Sequence, residues 1–236
     1  MRPIMTTITS NWQAVHAAIG AAAQATGREP GTVQLLAVSK TFPAEAVREA
    51  YLAGQTAFGE NYVQEALDKM DALADLPLEW HFIGPIQGNK TRPIAERFAW
   101  VHGVDRLKIA ERLSAQRPVD LPPLNVCLQV NVSSEASKSG VAPEEVEGLA
   151  LAVSRLPRLR LRGLMAIPAP AEGDEAQRAP FRRMRELLLQ LNKIGLGLDT
   201  LSMGMSHDFS AAIAEGATLV RIGTAIFGQR NYGEQV

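Results

Sequence analysis

The chain has one cysteine, Cys127, so no disulfide can form within it and a reducing compartment is implied. No stretch is long and apolar enough to span a bilayer. The start, Met1-Arg2-Pro3-Ile4-Met5, lacks the apolar region of a signal peptide. An excess of either charge is also missing. Lys and Arg number 24 against 25 Asp and Glu, which removes any general attraction for nucleic acid or an anionic membrane surface. Two local basic runs, Arg155 to Arg162 and Arg178 to Arg185, read as solvated helix faces or strand flanks. Cys127 itself lies in the apolar stretch Val126-Cys127-Leu128, the setting of a small buried hydrophobe rather than a nucleophile. The expectation is a soluble cytoplasmic protein without nucleic-acid or membrane partners.

What is present is alternation. Short β-branched runs take turns with amphipathic segments, the pattern of an α/β protein with a parallel sheet. The chain opens on a helix: Ser10 can cap it, Trp12, Val15 and Ile19 recur at helical spacing, and Gly27 suits its end. Strands are expected at Val33 to Ser39, Thr56 to Gly59, Glu79 to Ile83 and Trp100 to Val104. Four more are expected at Asn125 to Asn131, Leu159 to Ala166, Thr200 to Met203 and Leu219 to Gly223. Between them, helices are expected after Pro43 (with Gly54 past the end) and over Tyr62 to Leu73, Lys90 to Phe98 and Arg106 to Gln116. The remaining helices fall at Pro143 to Leu156, Pro180 to Ile194 and Phe209 to Ala214. About eight strand–helix units make a single TIM-type (β/α)8 barrel with an extra N-terminal helix, one domain over residues 1–236. A doubly wound open sheet is the competing architecture, but no Gly-x-Gly-x-x-Gly turn follows the first strand.

In such a barrel the working residues sit at the C-terminal ends of the strands. Those ends carry Ser39-Lys40-Thr41, Gly59-Glu60-Asn61-Tyr62, Met165-Ala166-Ile167-Pro168, Gly204-Met205-Ser206 and Arg221-Ile222-Gly223-Thr224, among others. No cluster there has metal-ligand spacing, so no metal is expected. Lys40 ends a strongly apolar strand, where a lowered pKa would give a neutral amine able to attack an aldehyde or ketone; a lysine that snorkels to the surface is the alternative. Ser206 precedes a helix, and Gly223 and Thr224 follow the last strand. Loops after strands seven and eight are the recurrent phosphate site of this fold. A phosphorylated carbonyl compound held at both ends follows, either a sugar phosphate in a class I aldolase or pyridoxal 5′-phosphate. Arg221 weighs toward the second, because a pyridine nitrogen needs a protein partner. An Arg donor leaves that nitrogen unprotonated and weakens the ring as an electron sink.

Eight segments then carry a resemblance: Leu35-Leu36-Ala37-Val38-Ser39-Lys40-Thr41, Phe58-Gly59-Glu60-Asn61-Tyr62-Val63-Gln64-Glu65, Trp80-His81-Phe82-Ile83-Gly84-Pro85-Ile86-Gln87, Asn89-Lys90, Ser137-Lys138-Ser139-Gly140, Arg162 to Pro168, Gly204-Met205-Ser206 and Val220 to Gly228. From Leu35 to Gly228 the chain resembles the pyridoxal phosphate homeostasis protein family (the YggS/PROSC group). The resemblance implies a fold-type III barrel, like the N-terminal domain of alanine racemase, with pyridoxal phosphate as a Schiff base on Lys40. It implies that Ser206, Gly223 and Thr224 hold the phosphate, that Arg221 faces the pyridine nitrogen and that Asn61 lies near the cofactor. It also implies that Met165 and Met203 line the pocket and that Lys138 touches the cofactor outside the barrel site. The family shows two acidic residues after Gly-Met-Ser. Here they are His207 and Asp208, which bears on the pH dependence of phosphate binding.

Two functions remain open on these residues. One is a non-catalytic protein that stores, protects or delivers pyridoxal phosphate, with apo pyridoxal-phosphate enzymes as partners. The other is an amino-acid racemase, which needs an acid–base group on each face of the substrate. In alanine racemase the second base is a tyrosine supplied by a second, β-rich domain of the partner subunit, a domain not expected here because this chain ends at Val236, just past the last strand. Its tyrosines are Tyr51, Tyr62 and Tyr232, and only Tyr62 falls near the strand ends. The expectation is the carrier, as a monomer.

Overall fold

The computed structural model describes residues 7–133 and 139–229. Lys138 and Tyr232 lie outside them. Eight strands follow in chain order: β1 (Gln34–Val38), β2 (Ala57–Glu60), β3 (Glu79–Phe82), β4 (Trp100–Val104), β5 (Leu124–Gln129), β6 (Leu159–Met165), β7 (Thr200–Ser202) and β8 (Leu219–Ile222). Each pairs in parallel with the next, and β8 returns to β1 with Leu36 opposite Arg221, so the sheet closes into a barrel. That pairing removes the doubly wound alternative.

Helices fill the connections. They are α1 (Thr7–Ala25), α2 (Ala44–Leu52), α3 (Val63–Ala72), α4 (Thr91–Arg97), α5 (Leu107–Gln116), α6 (Val146–Val153), α7 (Asp174–Lys193), α8 (Phe209–Ala214) and α9 (Thr224–Phe227). No helix among the described residues is long and apolar enough to cross a membrane. Two helix starts differ from expectation. Ser10 is not the cap of α1, because the helix already runs at Thr7; Trp12 and Ile8, both partly buried, carry the stripe of Val15 and Ile19 two turns upstream. Pro180 does not open α7 but sits inside it. The acidic first turn of Asp174 and Glu175 suits the helix dipole, and the face of Phe181, Met184, Leu187 and Leu191 carries the helix past the proline.

Strand alternation sorts the buried residues into two environments. Phe58, Phe82, Val101, Val126, Leu128, Leu164, Leu201, Val220 and Ile222 pack outward into one continuous core beneath the helices. The alternate positions turn into the barrel and form two small apolar clusters. Leu36, Ala57 and Leu219 make one, and Trp100, Cys127 and Met165 the other. Cys127 is fully buried, and burial pushes its thiol up to about 12, so it behaves as a small hydrophobe. Between the clusters the interior is polar: His81, His102, Ser202 and Arg221 are all buried there. Gly163 shows how tight this wall is, since a Cβ on it would stand 1.8 Å from the Thr200 carbonyl of the paired strand.

Candidate functional site

At the C-terminal mouth of the barrel lies a cavity of about 220 Å³. Lys40 enters it from the end of β1, Asn61 from the end of β2, Ser206 and His207 from the turn after β7, and Arg221, Gly223 and Thr224 from β8 and the loop beyond. Residues nearly two hundred positions apart meet there because the closed sheet sets β8 beside β1. Val38, Phe42, Ile83, Ile167 and Met205 supply apolar walls that sequence reasoning had not singled out as ligand contacts. Met165 and Met203 do not line the cavity. Met165 points into the barrel against Trp100 and Cys127, and Met203 turns outward into the main core. Strand parity turns Met203 away, whereas Met165 shares the inward parity of Arg221 and is kept from the cavity by its depth, paired with Ser202.

Two turns face the cavity with polar groups. In the first, Asp208 Oδ1 accepts the Met205 N–H at 2.6 Å, and the Asp208 and Phe209 N–H groups return to the Met205 carbonyl. The N–H groups of Ser206 and His207 are not spent in that closure. Gly204 enters the turn at φ 95°, a conformation an L side chain adopts only with strain, and a Cβ there would also meet Ala212. Asp208, not Ser206, holds the cap position of α8, so the Ser206 hydroxyl is not committed to the helix. In the second turn the Ile226 and Phe227 N–H groups both bond to the Gly223 carbonyl, which leaves those of Thr224 and Ala225 outside the helical bonding. Phe42 stacks on Phe227 at 5.1 Å and ties this turn to the strand end that bears Lys40.

Arg221 forms the floor. Its Nη1 donates to the Ser202 carbonyl at 2.6 Å and to Ser202 Oγ at 2.7 Å, and Nη2 donates to the Ala166 carbonyl at 2.8 Å. These bonds fix the guanidinium and leave Nε and one Nη2 hydrogen for a ligand. Burial lowers its pKa to about 10, a value at which it is still a cation at neutral pH. Asn61 Oδ1 is buried without a hydrogen-bond partner among the described residues, an acceptor awaiting a donor. No group of His, Cys, Asp and Glu able to hold a metal occurs among the described residues.

Sequence reasoning missed two polar networks behind these residues. One runs from Arg221 through Ser202 to His102 (2.8 Å), His81 (3.0 Å) and Glu79 (2.9 Å). The other joins Lys69 to Glu60 at 2.7 Å and to Glu65 at 2.6 Å, beside Lys40. The available signal was a polar residue at an inward strand position or on the buried stripe of an amphipathic helix. His81, His102 and Ser202 show the first, and Lys69, between Ala66 and Met70, the second.

The family described as alanine racemase, N-terminal domain, matches residues 7–231. A pyridoxal phosphate homeostasis protein of Pseudomonas aeruginosa is 71% identical over 229 residues, 97% of this chain and 98% of that protein. One of Vibrio cholerae is 56% identical over 97% of this chain and 98% of its own length. Among solved structures, PipY of Synechococcus elongatus, determined with PLP bound, superposes with a TM-score of 0.79 at 41% identity. The match covers 89% of this chain and all (100%) of that one.

Proposed function

The chain belongs to the pyridoxal phosphate homeostasis protein family, and we propose that it holds pyridoxal 5′-phosphate as a Schiff base on Lys40 without catalysing a reaction. The observation that carries this is the convergence, in one cavity, of Lys40, the buried Arg221 and the two turns bearing Ser206 and Thr224. The Lys40 amine condenses with the aldehyde to form a C=N bond, and one water leaves with the carbonyl oxygen and both amine protons. The hydroxyls of Ser206 and Thr224, with the uncommitted N–H groups of those turns and of Gly223's loop, suit a phosphate. Arg221 donates to the pyridine nitrogen, and its tethers to Ser202 and Ala166 keep it in that orientation. Asn61 Oδ1 has an acceptor to offer the ring hydroxyl. Ile83, Ile167 and Met205 shield the ring from water.

The residues also support holding over turnover. Among the described residues, no tyrosine or carboxylate lines the cavity, and the one imidazole that does, His207, is mostly exposed and turned to Asp208 at 3.4 Å. Tyr62, at the N-cap of α3, has more than half its surface exposed. An Arg-paired pyridine is a weak electron sink, which suits storage or delivery. We read the protein as a monomeric cytoplasmic carrier whose partners are apo pyridoxal-phosphate enzymes. The test is transfer. The loaded protein should activate an apo enzyme faster than the same concentration of free pyridoxal phosphate. Activation no faster than free cofactor would remove delivery, and exchange of an amino acid's α-proton in deuterated water would remove the non-catalytic role.

A further inference from the structure

Lys40 stands between two peptide groups, and one ion-pair cluster holds both. The carbonyl of the Ser39–Lys40 peptide accepts from Lys69 Nζ at 2.7 Å. The N–H of the Lys40–Thr41 peptide donates to Glu65 Oε1 at 2.5 Å. Lys69 pairs with that same Glu65 oxygen, i,i+4 along α3, and with Glu60 Oε1 at the end of β2. The Ser39 hydroxyl closes the cluster on Glu60 Oε1 at 2.6 Å. The Lys69 side chain is 6% exposed and that of Glu60 not at all.

An ion pair this deep is a poor source of stability, because desolvation cancels most of the attraction and a packed apolar pair serves as well. What it does supply is direction. Two opposite charges grip the two peptide planes on either side of one Cα, which sets the backbone from which the Lys40 side chain departs. Thr41, at φ 68°, is one of two non-glycine residues with positive φ among the described residues, and its N–H is the group Glu65 holds. Such a conformation persists where surrounding bonds over-determine it.

We propose that Lys69, acting through Glu60 and Glu65, is the positioning residue for Lys40, clamping its flanking peptides so that Nζ is aimed at the cavity. The proposal rests on the reading that Lys40 forms the Schiff base. It adds a role for three residues that do not line the cavity.

Glu65 is the point at which to test it, because it is partly exposed and its removal leaves the Lys69–Glu60 pair in place. Two ligands separate positioning from general damage: pyridoxal 5′-phosphate, and pyridoxine 5′-phosphate, which has no aldehyde. For Glu65→Ala, pyridoxine 5′-phosphate should bind within about twofold of wild type while Schiff-base formation slows about tenfold, the scale expected when a reacting group loses its alignment. Glu65→Gln keeps an acceptor for the Thr41 N–H and should restore the rate. Equal rates in Glu65→Ala and wild type would overturn the clamp, as would parallel weakening of both ligands. A wild-type protein that forms no borohydride-stable link at Lys40 would overturn the functional reading itself, and the clamp with it.

Discussion

His102 and His81 face each other in the barrel interior, Nε2 to Nδ1 at 3.0 Å, and both side chains are fully buried. Their neighbours fix where the protons sit. The Glu79 carboxylate, held ionised by its bond to His81, can only accept, so a neutral His81 donates to it from Nε2 and accepts at Nδ1. A neutral His102 then donates from Nε2 to His81 Nδ1 and accepts at its own Nδ1 from the Ser202 hydroxyl, which in turn accepts from Arg221. A chain of donors thus runs in one sense from the cavity floor to a carboxylate at the opposite end of the barrel. Nitrogen-15 NMR of the protein at neutral pH should find both imidazoles neutral with the proton on Nε2. A proton on Nδ1 of either ring would break the chain as described.

The same burial gives a pH dependence. It holds the His102 pKa well below the ordinary 6.5, with His81 and Arg221 adding to the effect, and it lowers that of His81 against the pull of Glu79. The unfolded chain takes up protons on both near pH 6.5 and the folded chain does not, so stability is lost as pH falls below that value. Each histidine contributes a slope of at most about 1.4 kcal/mol per pH unit. Glu79, held down by its bond to His81, acts in the same direction at lower pH, while Glu60, raised by burial, opposes it. Denaturant unfolding between about pH 7.5 and 5.5 should show a smaller loss for His102→Asn than for wild type. Identical losses would contradict it.

Arg221→Ala removes the tether between β8, β7 and β6 and leaves the Ser202 and Ala166 carbonyls without their donor. Chemical denaturation should register a loss of about 2–4 kcal/mol, from the unpaired acceptors and the space left behind. Affinity for pyridoxal phosphate should fall as well. Unchanged stability would mean the guanidinium is not structurally engaged.

Gly163→Ala should be severe, because β6 cannot move away from β7 without opening the barrel. A loss above about 3 kcal/mol, or no soluble protein, is expected where an added methyl meets backbone. A thermal midpoint near wild type would show that the wall can yield.

Strand alternation with helical stripes made the barrel legible in the sequence, including the short β2 and β7. Lys40, Ser206, Arg221, Gly223 and Thr224 could be named because strand ends in this fold point to one mouth, and Asn61 because of the family resemblance; all six line the cavity. Met165 and Met203 show the limit: nearness to a strand end does not say that Met203, just past the three-residue β7, turns outward, nor how deep in the barrel the inward Met165 lies when β5 and β6 slip register at Val126 and Cys127. The α7 start was hidden because Pro180 reads locally as a first-turn residue, while the helix is held by a buried face beyond it. Neither buried network was legible, since His81 with His102, and Ser39 with Lys69, become neighbours only when the barrel closes.

Borohydride reduction of the protein loaded with pyridoxal 5′-phosphate, followed by peptide mapping, decides whether Lys40 carries the cofactor. A single pyridoxyl-lysine at Lys40, lost in Lys40→Ala, is the expected result. A cofactor fixed on another barrel lysine, or retained covalently in Lys40→Ala, would contradict it.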